Sequence, residues 1–427
     1  MTSSAASSAF PAGFFWGAAT AGHQIEGSNV LSDHWVLENV PGSPFVEPSG
    51  DACDSYHRFA EDIALLAEAG LGTYRFSVEW SRIEPEPGTF SRAELEHYRR
   101  MVAACHEAGV MPMVTLQHFT TPAWFARAGA WNNPEAPALF ARYCAAVAEH
   151  FGDAVTWYCT LNEPNLGAML SLGGMVPMAA LEDVTAAASM APAVRHAFAT
   201  RVGGDVDTVE FGHPMRVLTT EAIETVKEAH RLGRAAVKRA NPRAKVGWTL
   251  ALVDFQSAPG GEEITAQVRE LGCAQFLQIS REDDFIGVQS YSRQVLGAEG
   301  PVPLADDTPL TQTGWEVYPE ALGNSVRWAA EVARVPVVVT ENGMATADDA
   351  ARIAHTKAAL ESLRQAMADG VDVRGYVHWS LLDNFEWHSG YAMTFGLVAV
   401  DRTTFVRTPK PSLHWLGTVA RSNGAAL

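Results

Sequence analysis

Residues 335–343 read Val-Pro-Val-Val-Val-Thr-Glu-Asn-Gly, an apolar, β-branched run that stops on a threonine, a carboxylate, an amide and a glycine. A short run with no polar alternation suits a strand buried on both faces, as in a parallel sheet. Residues 155–164, Val-Thr-Trp-Tyr-Cys-Thr-Leu-Asn-Glu-Pro, repeat the form and again reach a carboxylate, Glu163. Working outward from these two, similar runs stand at 14–20, 72–78, 110–117, 245–253, 284–291 and 374–382. Most are separated by amphipathic stretches: Phe59, Ile63 and Leu66 share one helical face, as do Ile353, Leu360, Leu363 and Met367. Strands alternating with helices imply βα units on a parallel sheet, and eight such strands close a barrel. The expected fold is therefore α/β, one (β/α)8 TIM barrel.

Helix ends agree with this reading. Ser91 and Glu94 have the spacing of a capping box, and Gly70, Gly109 and Gly370 stand where a helix would stop. The first and last runs lie near the two ends of the sequence, and no Pro/Ser-rich linker or repeat divides it. One domain over 1–427 is expected, with the Ser/Ala-rich residues 1–10 as a flexible tail. The stretch 167–215 has no clean period and reads as an extended βα loop after strand four. Its Met169, Leu170, Met175, Val176 and Met178 could line an apolar entrance or fill a core.

Composition excludes several classes. The 427 residues carry 49 acidic and 31 basic side chains, a formal charge of −18, which argues against nucleic acid as a partner. With 47% hydrophobic and 19% charged residues the chain can bury a large core. No apolar run approaches the roughly 20 residues that span a bilayer, and residues 1–10 lack the charge and apolar segment of a secretion signal. No membrane association and a cytoplasmic location are expected. Cys53, Cys105, Cys144, Cys159 and Cys273 are scattered without a C-x-x-C pair and read as buried thiols. His23, His34, His57, His213 and His388 are equally scattered and form no metal-ligand pattern, although His388 stands beside the expected barrel mouth. Nucleophile-elbow, Walker, dinucleotide and H-E-x-x-H motifs are all missing from the sequence.

A TIM barrel does its chemistry at the C-terminal tips of its strands. Glu163 and Glu341 stand at the tips of strands four and seven, opposite one another around the barrel. Two carboxylates facing one cavity are the minimum apparatus for glycoside hydrolysis, one giving a proton to the departing oxygen and the other attacking or activating water. No metal or organic cofactor is then required. Other runs bring Arg75, Gln117, His118, Tyr291, Trp379, Asp383, Asn384, Glu386 and Trp387 to the same mouth. Hydroxyl-rich rings need such polar partners, and their C–H faces lie well on indoles.

Five blocks in order now resemble one family. They are Phe15-Trp16-Gly17-Ala18-Ala19-Thr20 with Gln24-Ile25-Glu26-Gly27; Tyr74-Arg75-Phe76-Ser77 with Trp80-Ser81-Arg82-Ile83; Asn162-Glu163-Pro164; Thr340-Glu341-Asn342-Gly343; and Trp379-Ser380-Leu381-Leu382-Asp383-Asn384-Phe385-Glu386-Trp387. The chain resembles the β-glycosidases of glycoside hydrolase family 1 over most of its length. The resemblance implies a retaining exo-β-glycosidase acting on terminal, unphosphorylated β-D-glucosides, with a small-molecule glycoside as its partner. It implies Glu163 as acid/base and Glu341 as nucleophile, with carboxyls about 5 to 5.5 Å apart. Arg75 and Tyr291 would hold the nucleophile, and Asn162 the sugar 2-hydroxyl. Gln24, His118, Glu386 and Trp387 would bind the glycone, and Trp379 would lie beneath the ring.

Single positions refine the expectation. A 6-phospho-β-glycosidase would carry Ser at Glu386 and Lys-x-Tyr at Met393-Thr394-Phe395, and a myrosinase would carry Gln at Glu163. Two departures bear on specificity. Phe119 and Thr120 follow His118 where the family has Trp and an acidic or amide residue, and Gln289-Ser290-Tyr291 replaces Asn-Tyr-Tyr. Phe119 and Gln289 join the expected substrate-binding set. The altered stretch between runs four and six suggests a small hydrophobic aglycone. Galactosides, fucosides, transglycosylation and, through those departures, a carbohydrate-binding pseudoenzyme are the alternatives left open.

Overall fold

The computed structural model describes residues 9–172, 191–212 and 218–427. All eight predicted runs are strands of one closed, parallel barrel: β1 (Phe15–Ala19), β2 (Thr73–Ser77), β3 (Met111–Gln117), β4 (Trp157–Asn162), β5 (Lys245–Ala251), β6 (Ile286–Gln289), β7 (Val337–Glu341) and β8 (Val373–Trp379). Each pairs with its neighbours in chain order, and β1 closes the ring on β8 with Ala19 opposite Trp379. The strands are shorter than the runs because several runs continue into the tips, where pairing ends.

The barrel interior is filled near its lower end by Met113, Cys159, Phe285 and Val338, with Phe15 and Trp157 against them. Room for Phe15 comes from Gly375, its register partner, where a Cβ would stand 2.2 Å from the Phe15 ring. Helices cover the outside, burying Ile63 and Leu66 from Ser55–Ala69 and Leu360 and Leu363 from Asp349–Ala368. Gly70, Gly109 and Gly370 adopt left-handed backbone, with φ of +90°, +70° and +101°. Ser91 caps its helix by accepting from the Glu94 amide, 3.3 Å away. The reciprocal half of the box does not form, since the Ser91 amide bonds to Ile83 and the Glu94 carboxylate accepts from Tyr56 instead.

The excursion after β4 is long, as expected. It starts with the helix Leu166–Ser171, includes Pro192–Val202 and returns through Thr220–Ala240. Met169 and Leu170 are buried, and Met169 fits where Gly272 has no side chain, so these two fill core. Val194 and Phe198 pack on Val36, Leu37 and Phe45. Met175, Val176, Met178 and His213 lie outside the described residues. Residues 1–8 of the expected tail do too, whereas Phe10 is buried beside Phe14 and Trp16 and its amide donates to Asn423 at 2.8 Å. The tail expected over 1–10 therefore does not extend to Phe10.

Candidate active site

The register of the strands delivers the site. Gln289 ends β6 opposite Glu341 at the end of β7, and Asn162 ends β4 opposite Thr249 in β5. The pairing slips between Cys159 and Asn162 and again between Val339 and Glu341. Such irregularities re-aim the residues that follow, and here they precede the two carboxylate-bearing tips. Glu163 sits one residue past β4 in left-handed backbone, φ +47°, with its amide fixed to the Thr249 carbonyl at 2.8 Å.

Glu341 is buried among donors. Arg75 Nη1 reaches its Oε1 at 2.6 Å, Gln289 Nε2 the same oxygen at 2.7 Å, and the Tyr291 hydroxyl its Oε2 at 2.6 Å. Arg75 lies fully buried beneath, its Nε donating to Thr115 at 3.0 Å and its Nη2 to Asn162 Oδ1 at 2.5 Å. That amide oxygen also accepts from Thr249 at 2.9 Å and Gln289 at 2.9 Å, while Asn162 Nδ2 faces His118 Nε2 at 3.2 Å. His118 stacks against Trp379 with centroids 5.7 Å apart.

Burial raises the pKa of both glutamates, but their surroundings separate them. Around Glu341 the Arg75 guanidinium and the Tyr291 phenol pull the value back. Glu163 is pushed well above the usual carboxylate range by burial and then by the charge of Glu341, with only Arg75 opposing. Tyr291 is held protonated by burial and by the Glu341 charge, and burial and Arg75 keep His118 neutral. Burial, followed by the charge of Glu341, pushes Glu386 up to about 8, against hydrogen bonds from Trp379 and Gln24. The surroundings push the two carboxylates apart in acidity, Glu163 further up than Glu341, the condition for paired acid and nucleophile chemistry.

A cavity of about 450 Å³ opens over this cluster. Of the residues singled out in the sequence, Asn162, Glu163, His118, Phe119, Gln289, Tyr291, Glu341, Trp379, Glu386 and Trp387 line it. Arg75 and Gln24 stand behind it. Gln24 is fully buried, donating to Phe385 O at 2.8 Å, Asn384 Oδ1 at 3.0 Å and Glu386 Oε2 at 3.3 Å. Thr120, one of the two departures after His118, does not line it and donates to the buried Glu79 at 2.6 Å. His388 does line it, stacked on Phe45 at 4.5 Å.

The sequence reading missed the outer wall. Leu252, Val253, Val295, Val302, Leu304 and Trp315 line the cavity, most of them in the loops after β5 and β6 and not in the excursion after β4, of which Leu166 contributes. Arg293 on the same wall is neutralised by Glu316 through two contacts of 2.8 Å. A small sheet formed by Asp254–Ser257, Arg293–Gly297 and Gly300–Pro301 supports this wall. Among the described residues no cluster of His, Cys, Asp or Glu could hold a metal ion, and no helix is long and apolar enough to cross a membrane.

Comparison with known proteins gives a consistent picture. The sequence profile of glycosyl hydrolase family 1 matches residues 6–242 and 265–425. The chain is 32% identical to beta-glucosidase A of Thermotoga maritima, over 97% of this chain and 98% of that one. It is 31% identical to a bifunctional beta-D-glucosidase/beta-D-fucosidase of Bifidobacterium breve, over 95% and 97% of the two chains. Among solved structures it resembles a beta-glycosidase at 50% identity with a TM-score of 0.89, over 96% of this chain and 97% of the other. It also matches the Thermotoga maritima beta-glucosidase in complex with glucoimidazole at 29% identity with a TM-score of 0.81, over 97% and 99%.

Proposed function

The chain belongs to glycosyl hydrolase family 1, and from that premise we propose that it is a retaining β-glucosidase in which Glu341 is the nucleophile and Glu163 the acid/base. The observation that carries this reading is the contrast between the two carboxylates: Glu341 is gripped by Arg75, Gln289 and Tyr291, while Glu163 is pushed up by burial and by the charge of Glu341, with Arg75 alone opposing. In the first step a Glu341 oxygen bonds to the anomeric carbon as the bond to the aglycone oxygen breaks, and Glu163 gives its proton to that oxygen. Ester formation removes the negative charge of Glu341, so the pKa of Glu163 falls. Its carboxylate then takes a proton from water, the water oxygen bonds to the anomeric carbon, and Glu341 leaves with the configuration retained.

The outer wall supports a hydrophobic aglycone. Leu252, Val253, Val295, Val302 and Leu304 offer few partners for a second sugar's hydroxyls, and Trp315 offers a ring face. Five buried, unpaired cysteines fit the reducing cytoplasm. Initial rates on p-nitrophenyl β-D-glucoside, galactoside and fucoside, on cellobiose and on a series of aryl glucosides test the reading. Glu341→Gly should abolish turnover, and azide should restore it with α-glycosyl azide as product. A β-azide product would overturn the assignment of Glu341, and cellobiose favoured over every aryl glucoside would overturn the aglycone assignment.

A further inference from the structure

We propose that Asn165 is a positioning residue that aims Glu163 at the glycosidic oxygen by splinting the tip of β4 to β5; the proposal rests on the reading of Glu163 as acid/base. Glu163 needs such support. It lies one residue past the end of β4 with φ at +47°, a conformation that a residue with a Cβ keeps only where its surroundings impose it. On its N-terminal side the Glu163 amide donates to the Thr249 carbonyl at 2.8 Å. On its C-terminal side Pro164 has no N–H to anchor, so the next hold along the chain falls to residue 165.

Asn165 supplies that hold through its side chain. Its Nδ2 donates to the Ala251 carbonyl at 2.8 Å, and its Oδ1 accepts from the Ala251 amide at 3.0 Å. Ala251 stands two residues past Thr249 in β5, so its amide and carbonyl face the same neighbouring strand, and the Asn165 amide fills the rung that the β4 backbone has left. The other Nδ2 hydrogen goes to the Gly272 carbonyl at 3.2 Å, in the segment Glu270–Ala274, which winds as a π-helix. Gly272 permits this approach, since a Cβ there would stand 2.8 Å from Met169 Cγ. Three backbone groups from two elements thus converge on one fully buried side chain two residues from the acid. Asn165 is not among the residues that line the cavity, so it touches no substrate, and the reacting group nearest to it along the chain is Glu163. Without its amide the segment 163–165 is held at one end only. The carboxyl must come within hydrogen-bond reach of the departing oxygen, and a misplacement of about 1 Å costs on the order of 100-fold in rate.

The test reads leaving-group dependence. A 2,4-dinitrophenolate departs without a proton, whereas a phenolate needs one. In Asn165→Leu, kcat/KM for phenyl β-D-glucoside should therefore fall about tenfold or more, while that for 2,4-dinitrophenyl β-D-glucoside stays within about twofold of wild type. Rates are taken per active site, counted from the burst released by 2,4-dinitrophenyl 2-deoxy-2-fluoro-β-D-glucoside, so a loss of folded protein does not enter. Azide should speed turnover of the 2,4-dinitrophenyl glucoside by Asn165→Leu and give β-glucosyl azide, because the anion attacks the glycosyl-enzyme without a base. Glu163→Ala sets the full size of both effects. If Asn165→Leu slows neither substrate, or both by the same factor, while Glu163→Ala changes their ratio, Asn165 is a fold contact only and the proposal falls. If Glu163→Ala leaves the ratio unchanged, Glu163 is not the acid, and that reading and the proposal fall together. No turnover of either glucoside by wild type overturns both as well. Should Asn165→Leu not fold, Asn165→Asp, which keeps an acceptor for the Ala251 amide and turns a carboxylate oxygen on the two carbonyls, must shift the ratio in the same direction.

Discussion

In the proposed mechanism Glu341 works as a buried anion, so each donor on it sets how acidic the solution can become before activity is lost. Tyr291→Phe removes one charge-assisted hydrogen bond, about 1.5 to 3 kcal/mol, and leaves the ring in place. The anion loses support, its pKa rises, and the acidic limb of the kcat/KM profile should move up by about one to two pH units. An unmoved acidic limb would show that the phenol is incidental to ionisation. Glu386 gives the complementary case in stability. Its pKa is raised from 4.5 to about 8 by burial, so unfolding releases a proton between those values and native stability declines as pH rises through that window. Glu386→Gln removes the titration, and its Tm should match wild type near pH 4 and exceed it near pH 8, with a ceiling of about 4 kcal/mol. Equal Tm differences at both pH values would contradict this. At this scale the sequence was legible where a polar residue sits at a strand tip, as with Glu163, Glu341 and Tyr291, all of which line the cavity. Thr249 escaped notice because its role depends on register with Asn162, and Trp315 because it stands in a loop remote from any tip.

Strands were legible because doubly buried strands are dominated by apolar, β-branched and aromatic residues, even where one of them carries Arg75 or Thr115. The boundaries were not, since the run 284–291 contains both β6 and the turn that carries Tyr291 to Glu341. The small sheet over the outer wall was missed for a related reason: Asp254–Ser257 and Arg293–Gly297 are short, only partly buried and carry no long apolar run. Packing between elements is equally hidden from propensity. The helix Pro411–Arg421 lies so close to the helix Ser55–Ala69 that a Cβ on Gly417 would stand 1.8 Å from the Ala69 carbonyl oxygen. Propensity alone predicts that Gly417→Ala gains about 1 kcal/mol. A backbone oxygen cannot move aside as a side chain can, and overpacking of this kind costs about 1 to 3 kcal/mol. The clash should win, lowering Tm by a few degrees with kcat of the folded enzyme unchanged, because neither helix lines the cavity. A higher Tm would mean that the two helices separate freely.

The molecule as a whole is strongly anionic, at −18, while its proposed reaction centre is nearly balanced, Arg75 against Glu341. A neutral glycoside feels little of the long-range field, so its kcat/KM should be flat in salt. A glycoside bearing a 6-phosphate approaches against the field and finds no spare guanidinium among the described residues of the outer wall, since Arg293 is already bound through two nitrogens by Glu316. It must also give up its hydration beside the buried Glu341 anion. Two penalties therefore add, and they respond differently to salt. Raising ionic strength from about 0.01 M to 0.1 M shortens the screening length from roughly 30 Å to 10 Å, which removes much of the global repulsion and little of the local one. The 6-phosphorylated p-nitrophenyl glucoside should thus be hydrolysed far more slowly than the neutral one at low salt, and its kcat/KM should rise with added salt without reaching the neutral value. A fall with salt would signify a cationic pocket that attracts the phosphate, and would overturn the assignment of unphosphorylated glycosides as substrates.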